Sequence, residues 1–494
     1  MRKTALLLLL LPFCGNLLHA QDYQLNLKAQ VIKGFSGLKK GDNVILKEMH
    51  HDIDKLPDGS LQDVFYVIDA NGKKINVSGR MDDSFEFSYG SVDDFWDAQI
   101  MTKVLSELKK RGMQYSLRRD LEGETLDFIQ AIQQNDLVLN DPYLETYLYG
   151  ILNKLAPNRL VDGRPCSPNL IILKSPVVNA STYPNGTIVI HTGLLAALHS
   201  EDELAAILGH ELAHFVLNHT IENINKTKDR AKRAEFWSSL ATGLAAMGEV
   251  ALSASNRYYQ PGGLTYSVAA LSAGISAQIN AHMGMQYNHD QEHEADAISK
   301  QLLQVAGYNP DAMANALSRL ADQYVLERNN ALWLGSYTHP ALMERLKANG
   351  VANNRRDVAF EKAISFAVSN VAAMKFHDRR FRQCLPLVNQ NIENGVATAD
   401  DYLMKTFCTI ATTDGKQANQ EIMGYLDKAK QLDPDNPFIL QGYIIAKIHA
   451  GQIAEAKTLL AEYETTIKEL SQGNGYFREE YDWAKRMKAK LNNM

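Results

Sequence analysis

The stretch "ILGHELAHFVLNH", Ile207 to His219, sets His210 and His214 four residues apart on either side of Glu211, inside an otherwise apolar run. On a helix, positions i and i+4 share a face, so the two imidazoles can each turn one nitrogen toward a single ion, and zinc suits that donor pair. Glu211 beside them can take a proton from a water that the ion has made more acidic and deliver it to a leaving amine. That chemistry accounts for three ionisable residues where leucine or alanine would pack at no electrostatic cost. The bare pattern also arises by chance on an amphipathic helix, and a hydrolytic zinc site needs a third protein ligand and an open position.

Two later stretches offer the missing groups. "DQEHEADAISKQLL", starting at Asp290, presents Glu292, Glu294 and Asp296 on a second helix, and "SYTHPALMERL" contains His339, Pro340 and Arg345. Together, "HELAH", "EHEAD" and "THPALMERL" resemble metallopeptidase family 48, with its HtpX, Oma and CAAX prenyl-protease branches. The resemblance implies a zinc endopeptidase holding one Zn2+ per chain, with Glu292, four residues before Asp296, as the third ligand. His293 and Glu294 lie about 100° and 200° around the helix from Glu292, so they do not reach the same ion. Asp296, one turn on, is placed to hold a ligand histidine by its second nitrogen.

The resemblance extends to "NASTYPNGTIVIHTGLL", where it implies an edge strand at Asn179 and Ala180 that accepts substrate backbone by strand addition. His339 and Arg345 match the family's HPxxxxR element. This implies that Arg345 supports the ligands, and that His339 either donates to the oxyanion of the tetrahedral intermediate or closes the fourth zinc position at rest. The alternative for His339 is a helix-capping histidine before a proline. His219 follows at the family's HExxHxxxxH spacing, but five residues from His214 it falls about 140° off the ligand face and reads as structural.

These groups need elements to hold them. Ser200 to Glu203 is a capping box that starts the helix carrying His210, and two strands around Pro184-Asn185-Gly186 precede it. Residues 22–87 alternate in short β-like runs, with a hairpin signal at "DANG", and suggest a small SH3-like β domain. From about Asp357 the pattern is helical, and Pro434, Gly451, Ala456 and Leu460 fall where a tetratricopeptide repeat needs them. The expected fold is therefore mainly α with a small β part: a helical zincin-type peptidase domain with a short sheet, flanked by the β domain and a helical-repeat tail. The expected division is 1–20 signal peptide, 21–90 β domain, 91–137 helical connector, 138–350 peptidase and 351–494 repeats.

Composition narrows the setting. Of 494 residues, 45% are hydrophobic and 22% charged, as in ordinary globular proteins. The net charge of −6 argues against wholesale nucleic-acid binding, and loss of Arg2 and Lys3 with a leader would deepen it. Arg2 and Lys3 before "ALLLLLLPF", with Ala20 ahead of "QDYQ", form a signal-peptide pattern. Four cysteines, one of them in the leader, make no disulfide scaffold, and Cys384 and Cys408 read as buried thiols. Sequons at Asn76, Asn179, Asn185, Asn218 and Asn225 include one on the histidine-bearing helix, where a glycan would be ruinous, so a bacterial periplasm fits better than a eukaryotic secretory route. Small-residue segments from Trp237 and Leu264 read as closely packed helices, with a membrane-apposed hairpin as the alternative.

The expectation is a periplasmic zinc peptidase acting on protein or peptide substrates, namely misfolded or stalled envelope proteins, with Glu211 as general base. Its order of segments resembles the family's periplasmic branch in outer-membrane protein assembly, which implies that machinery as a partner through the C-terminal repeats. The competing reading is a chaperone or assembly scaffold whose zinc site is mostly silent, against which the intact Glu211 argues.

Overall fold

The computed structural model describes residues 22–35, 37–55, 61–68, 72–78, 84–99, 113–156, 160–161, 164–165, 168–224, 274, 287–327, 339, 341–350, 355–413, 419–471 and 478–494. The expected signal peptide, nearly all of the two small-residue segments and the residues just before His339 lie outside these residues. The chain divides between Lys110 and Arg111 into two compact units. As the patterning predicts, it is mainly helical with small sheets.

The first unit is a five-stranded antiparallel sheet of β1 (Asp22–Val31), β2 (Asn43–Lys55), β3 (Leu61–Ile68), β4 (Lys74–Ser78) and β5 (Phe85–Ser88). The strand order is β4-β3-β2-β1-β5, a meander whose last strand returns beside the first. Leu27, Ala29 and Val31 alternate into one core with Val44, Leu46, Val67, Val77 and Phe85, the period-two pattern of a sheet with one buried face. Ala98 of α1 (Val92–Gln99) closes that core.

The second unit begins with α2 (Met113–Gln134) and α3 (Pro142–Leu155). Its sheet has β8 (Leu170–Leu173) parallel to β10 (Ile188–His191), with β9 (Ala180–Thr182) antiparallel on the edge. A two-stranded ribbon, β6 (Leu160–Val161) with β7 (Arg164–Pro165), precedes it. After the short α4 (Thr192–Ala197), α5 (Glu201–Val216) carries the histidines. Ser200 caps α5 by accepting the amide of Glu203, as predicted, while the Glu203 carboxylate takes the amide of His199 rather than that of Ser200.

A break follows at Asn218, where φ is +59°, before α6 (His219–Ile224). Next comes α7 (His289–Ala306), opened by a capping box of Asn288 and Gln291 and stopped at Gly307 with φ +79°. α5 and α7 pack closely because position 209 is glycine: a Cβ there would sit 2.8 Å from the Ser299 hydroxyl oxygen, which donates to the Ala206 carbonyl at 2.9 Å. This packing sets the Glu292 turn of α7 beside the His210 turn of α5. Helices α8 (Ala312–Glu327) and α9 (Leu342–Asn349) cover the pair.

The remaining helices are α10 (Val358–Ala363), α11 (Ser365–His377), α12 (Phe381–Glu393), α13 (Ala399–Thr412), α14 (Asn419–Leu432), α15 (Pro437–His449), α16 (Ile453–Ser471) and α17 (Arg478–Asn492). Neighbours in this series pack in succession around two cores. Ala456 and Leu460 are buried in the second, with Leu440 packed against it, and Gly451 makes its turn at φ +77°. Cys384 and Cys408 are buried free thiols in the first.

α11 also lies against α4, so the helical tail shares a contact with the histidine-bearing region. On its other side α4 packs closely on the segment before β9: at Gly193 a Cβ would lie 2.4 Å from the Val177 carbonyl oxygen.

Candidate active site

His210 and His214 sit one turn apart on α5 with their Nε2 atoms 3.0 Å from each other. Glu292 reaches in from α7, its Oε1 3.4 Å from His214 Nε2 and its Oε2 3.6 Å from His210 Nε2. His339 completes the cluster: its Nδ1 lies 3.0 Å from Glu292 Oε1 and 3.3 Å from His210 Nε2. All four side chains are buried, and one donor atom from each falls within 4.8 Å of the others.

This donor set fits zinc. Zinc bonds of about 2.0–2.1 Å in a tetrahedron place ligand atoms about 3.3 Å apart, close to the 3.0–3.6 Å edges seen here. Two facing imidazole nitrogens at 3.0 Å can also share at most one proton, and an ion satisfies both.

Around the cluster a second set of groups fixes orientation. Asp296 Oδ1 lies 2.9 Å from His210 Nδ1, the second ring nitrogen that the helical spacing assigned to it. Arg345, buried on α9, donates to both Asp296 oxygens, at 2.7 and 2.9 Å, and its Nη1 stands 2.5 Å from Glu292 Oε2. Asn349 donates to Asp296 at 2.9 Å.

Glu211 points to one side of the cluster. Its Oε1 is 3.3 Å from His339 Nε2, and its Oε2 accepts from the Thr182 hydroxyl at 3.0 Å. Burial alone would raise the Glu211 carboxyl, but the neighbouring His339, His210 and His214 bring it down to about 2. Burial would lower the His339 imidazole, yet the charges of Glu292 and Glu211 push it up to about 10. For His214 burial prevails over Glu292, and its imidazole falls to about 3.

Asn179 and Ala180 lie on or beside edge strand β9, both nearly inaccessible. The Ala180 carbonyl is 3.4 Å from His339 Nε2. His293 and Glu294 stay out of the cluster, Glu294 half-exposed and 3.6 Å from His219.

Three neighbours escape a reading by pattern. His219 lies off the α5 face by helical phase, but the chain leaves that helix at Asn218, and His219 Nδ1 comes 2.8 Å from His214 Nδ1. Tyr287 stacks on His214, ring centroids 3.6 Å apart and planes 12° apart, with its hydroxyl 3.1 Å from Thr220. Thr182 holds Glu211 from a different element. Only His219 carried a signal, its recurring spacing from His214.

Comparison with known proteins agrees with this geometry: peptidase family M48 matches residues 142–349, a span that includes all four cluster residues, Glu211, Asp296 and Arg345. Residues 142–349 are a peptidase family M48 domain. M48 peptidases use a metal, typically zinc, and the buried cluster is a group that could bind it.

Over 414 residues the chain is 22% identical to the beta-barrel assembly-enhancing protease of Escherichia coli (strain K12), covering 75% of this chain and 79% of that one. The protein of the same name in Yersinia pestis is 26% identical over 221 residues, 44% of this chain and 41% of that one. The mitochondrial metalloendopeptidase OMA1 of Arabidopsis thaliana is 27% identical over 235 residues, 47% of this chain and 41% of that one. The chain spans only 37% and 41% of the length of the first two relatives it matches. Among the described residues, no helix is long and apolar enough to cross a membrane.

Proposed function

We propose that this protein is an exported, periplasmic zinc endopeptidase that hydrolyses peptide bonds of misfolded or stalled envelope proteins. In this reading residues 138–350 are the catalytic domain, His210, His214 and Glu292 hold one Zn2+, and the helices after residue 351 present substrate or dock on outer-membrane assembly machinery. The observation that carries it is the buried four-residue cluster with the Glu211 carboxylate beside it, 3.3 Å from His339. The names of the bacterial relatives, which speak of beta-barrel assembly, support the substrate class.

When bound, zinc would polarise the scissile carbonyl and acidify the attacking water. The chain's own residues do the rest. Glu211, ionised and desolvated, takes the proton of the attacking water and passes it to the amide nitrogen as the C–N bond breaks. Asp296 fixes His210 through Nδ1, so that Nε2 faces the cluster, and Arg345 holds Asp296 and Glu292 in one frame. The substrate backbone pairs with edge strand β9 at Ala180, next to Asn179, whose own carbonyl takes the His191 amide at 3.1 Å.

His339 stands in that path. With Nδ1 toward the cluster and Nε2 toward Glu211 and the Ala180 carbonyl, it would be a fourth residue holding the ion at rest, and it covers part of the strand edge. It has to swing away for a peptide to enter, and its Nε2 is then a donor for the developing oxyanion.

The test is substrate trapping in cells with Glu211→Gln, read by mass spectrometry. Envelope proteins should accumulate on the variant and not on wild type. Equal recovery on both would contradict the reading.

A further inference from the structure

The proposed mechanism needs a base whose carboxylate is aimed, and a glutamate side chain with three rotatable bonds does not aim itself. Glu211 Oε1 faces His339, which the proposed cycle removes, so the lasting hold must come through Oε2. That oxygen accepts the Thr182 hydroxyl at 3.0 Å. Resting on the peptidase reading, we infer that Thr182 is a positioning residue for Glu211, tying the base to the same strand that the substrate backbone joins.

Thr182 is suited to this by chemistry and place. It is β-branched and stiff at χ1, so its hydroxyl stays where the strand puts it. The strand itself is fixed by antiparallel pairing of Thr182 with Ile188. Both partners are almost fully buried, Thr182 at 1% and Glu211 at 2% exposure, so water does not readily replace the hydroxyl. Oε2 is therefore the anchored oxygen and Oε1 the working one. Substrate paired with β9 is thereby registered against the base.

The test compares wild type, Thr182→Val and Thr182→Ser on a defined peptide, with zinc content measured and zinc-loaded crystals of each. A hydrogen bond to a charged group is worth about ten- to a hundredfold, so Thr182→Val should lose that much kcat with KM and zinc content unchanged. Thr182→Ser should recover to within a few-fold. Thr182→Ala, which adds no bulk, should repeat the loss if valine disturbs packing. In the crystals Glu211 should leave its position in Thr182→Val and keep it in Thr182→Ser.

Wild-type kcat and an unmoved Glu211 in Thr182→Val would overturn the inference, as would equal damage in the valine and serine variants. Glu211→Gln in the same assay reports on the peptidase reading separately. Cleavage by that variant equal to wild type would sink the reading, while the crystals would still decide whether Thr182 positions Glu211.

Discussion

His214 Nδ1 and His219 Nδ1 lie 2.8 Å apart, two like atoms of which one must carry a proton and the other accept it. Because His214 Nε2 faces the cluster, its Nδ1 holds the hydrogen and His219 accepts, leaving the His219 Nε2 hydrogen toward Glu294 at 3.6 Å. His219 thus fixes the tautomer of a proposed ligand. Loss of such a partner costs about ten- to a hundredfold in metal affinity. Chelator competition should show that loss for His219→Ala, and a much smaller one for the half-exposed Glu294→Gln.

His339→Ala separates gate from donor. The three remaining cluster residues should keep zinc, while turnover on a defined peptide falls on the order of a hundredfold if Nε2 serves the oxyanion. A pure gate would instead give faster, unregulated self-cleavage. Unchanged kinetics with unchanged zinc affinity would leave His339 a structural residue.

The tail should not come away cleanly at Gly350. The Asp357 amide donates to the His199 carbonyl at 2.8 Å, Glu361 faces His199 Nδ1 at 3.3 Å, and Asn370 Oδ1 takes the Thr192 hydroxyl at 3.4 Å. A chain ending at Gly350 loses these contacts and uncovers α4, so it should melt lower and hold zinc less well than wild type. A chain ending at Leu432 keeps α10 and α11 and should retain zinc. Equal zinc binding and equal melting in all three would contradict this.

Glu361 predicts an acid limb of stability. Burial would raise its carboxyl, but Arg356, Asn394 and His199 outweigh that and hold it at about 2, against an ordinary 4.5. A group depressed on folding stabilises fully above its unfolded pKa and loses that contribution as pH falls toward the folded value. The urea midpoint of wild type should therefore exceed that of Glu361→Gln at pH 6, and the gap should narrow between about pH 4.5 and about pH 2. A constant gap would contradict the assignment.

What could be read from sequence was whatever one helix encodes by itself. The spacing of His210 and His214 puts that pair on one face of α5; Glu292 came from the resemblance, and spacing then set Asp296 on its face of α7, and the structure brings the two faces together across Gly209. What could not be read depends on where separate elements meet. Helical phase keeps His219 out of the cluster but does not show its contact with His214 Nδ1, which arises because the helix ends at Asn218 with positive φ. Thr182, Tyr287 and Asn370 act through contacts 29, 73 and 178 residues away in the chain, for which local pattern carries no signal.

The most direct test of Glu211 as the base of a zinc peptidase is cleavage of an unfolded protein such as casein by zinc-loaded wild type and Glu211→Gln, each with its metal content measured. Both proteins should hold equal zinc, with cleavage in wild type and none in the variant. Equal zinc with equal residual cleavage would contradict it.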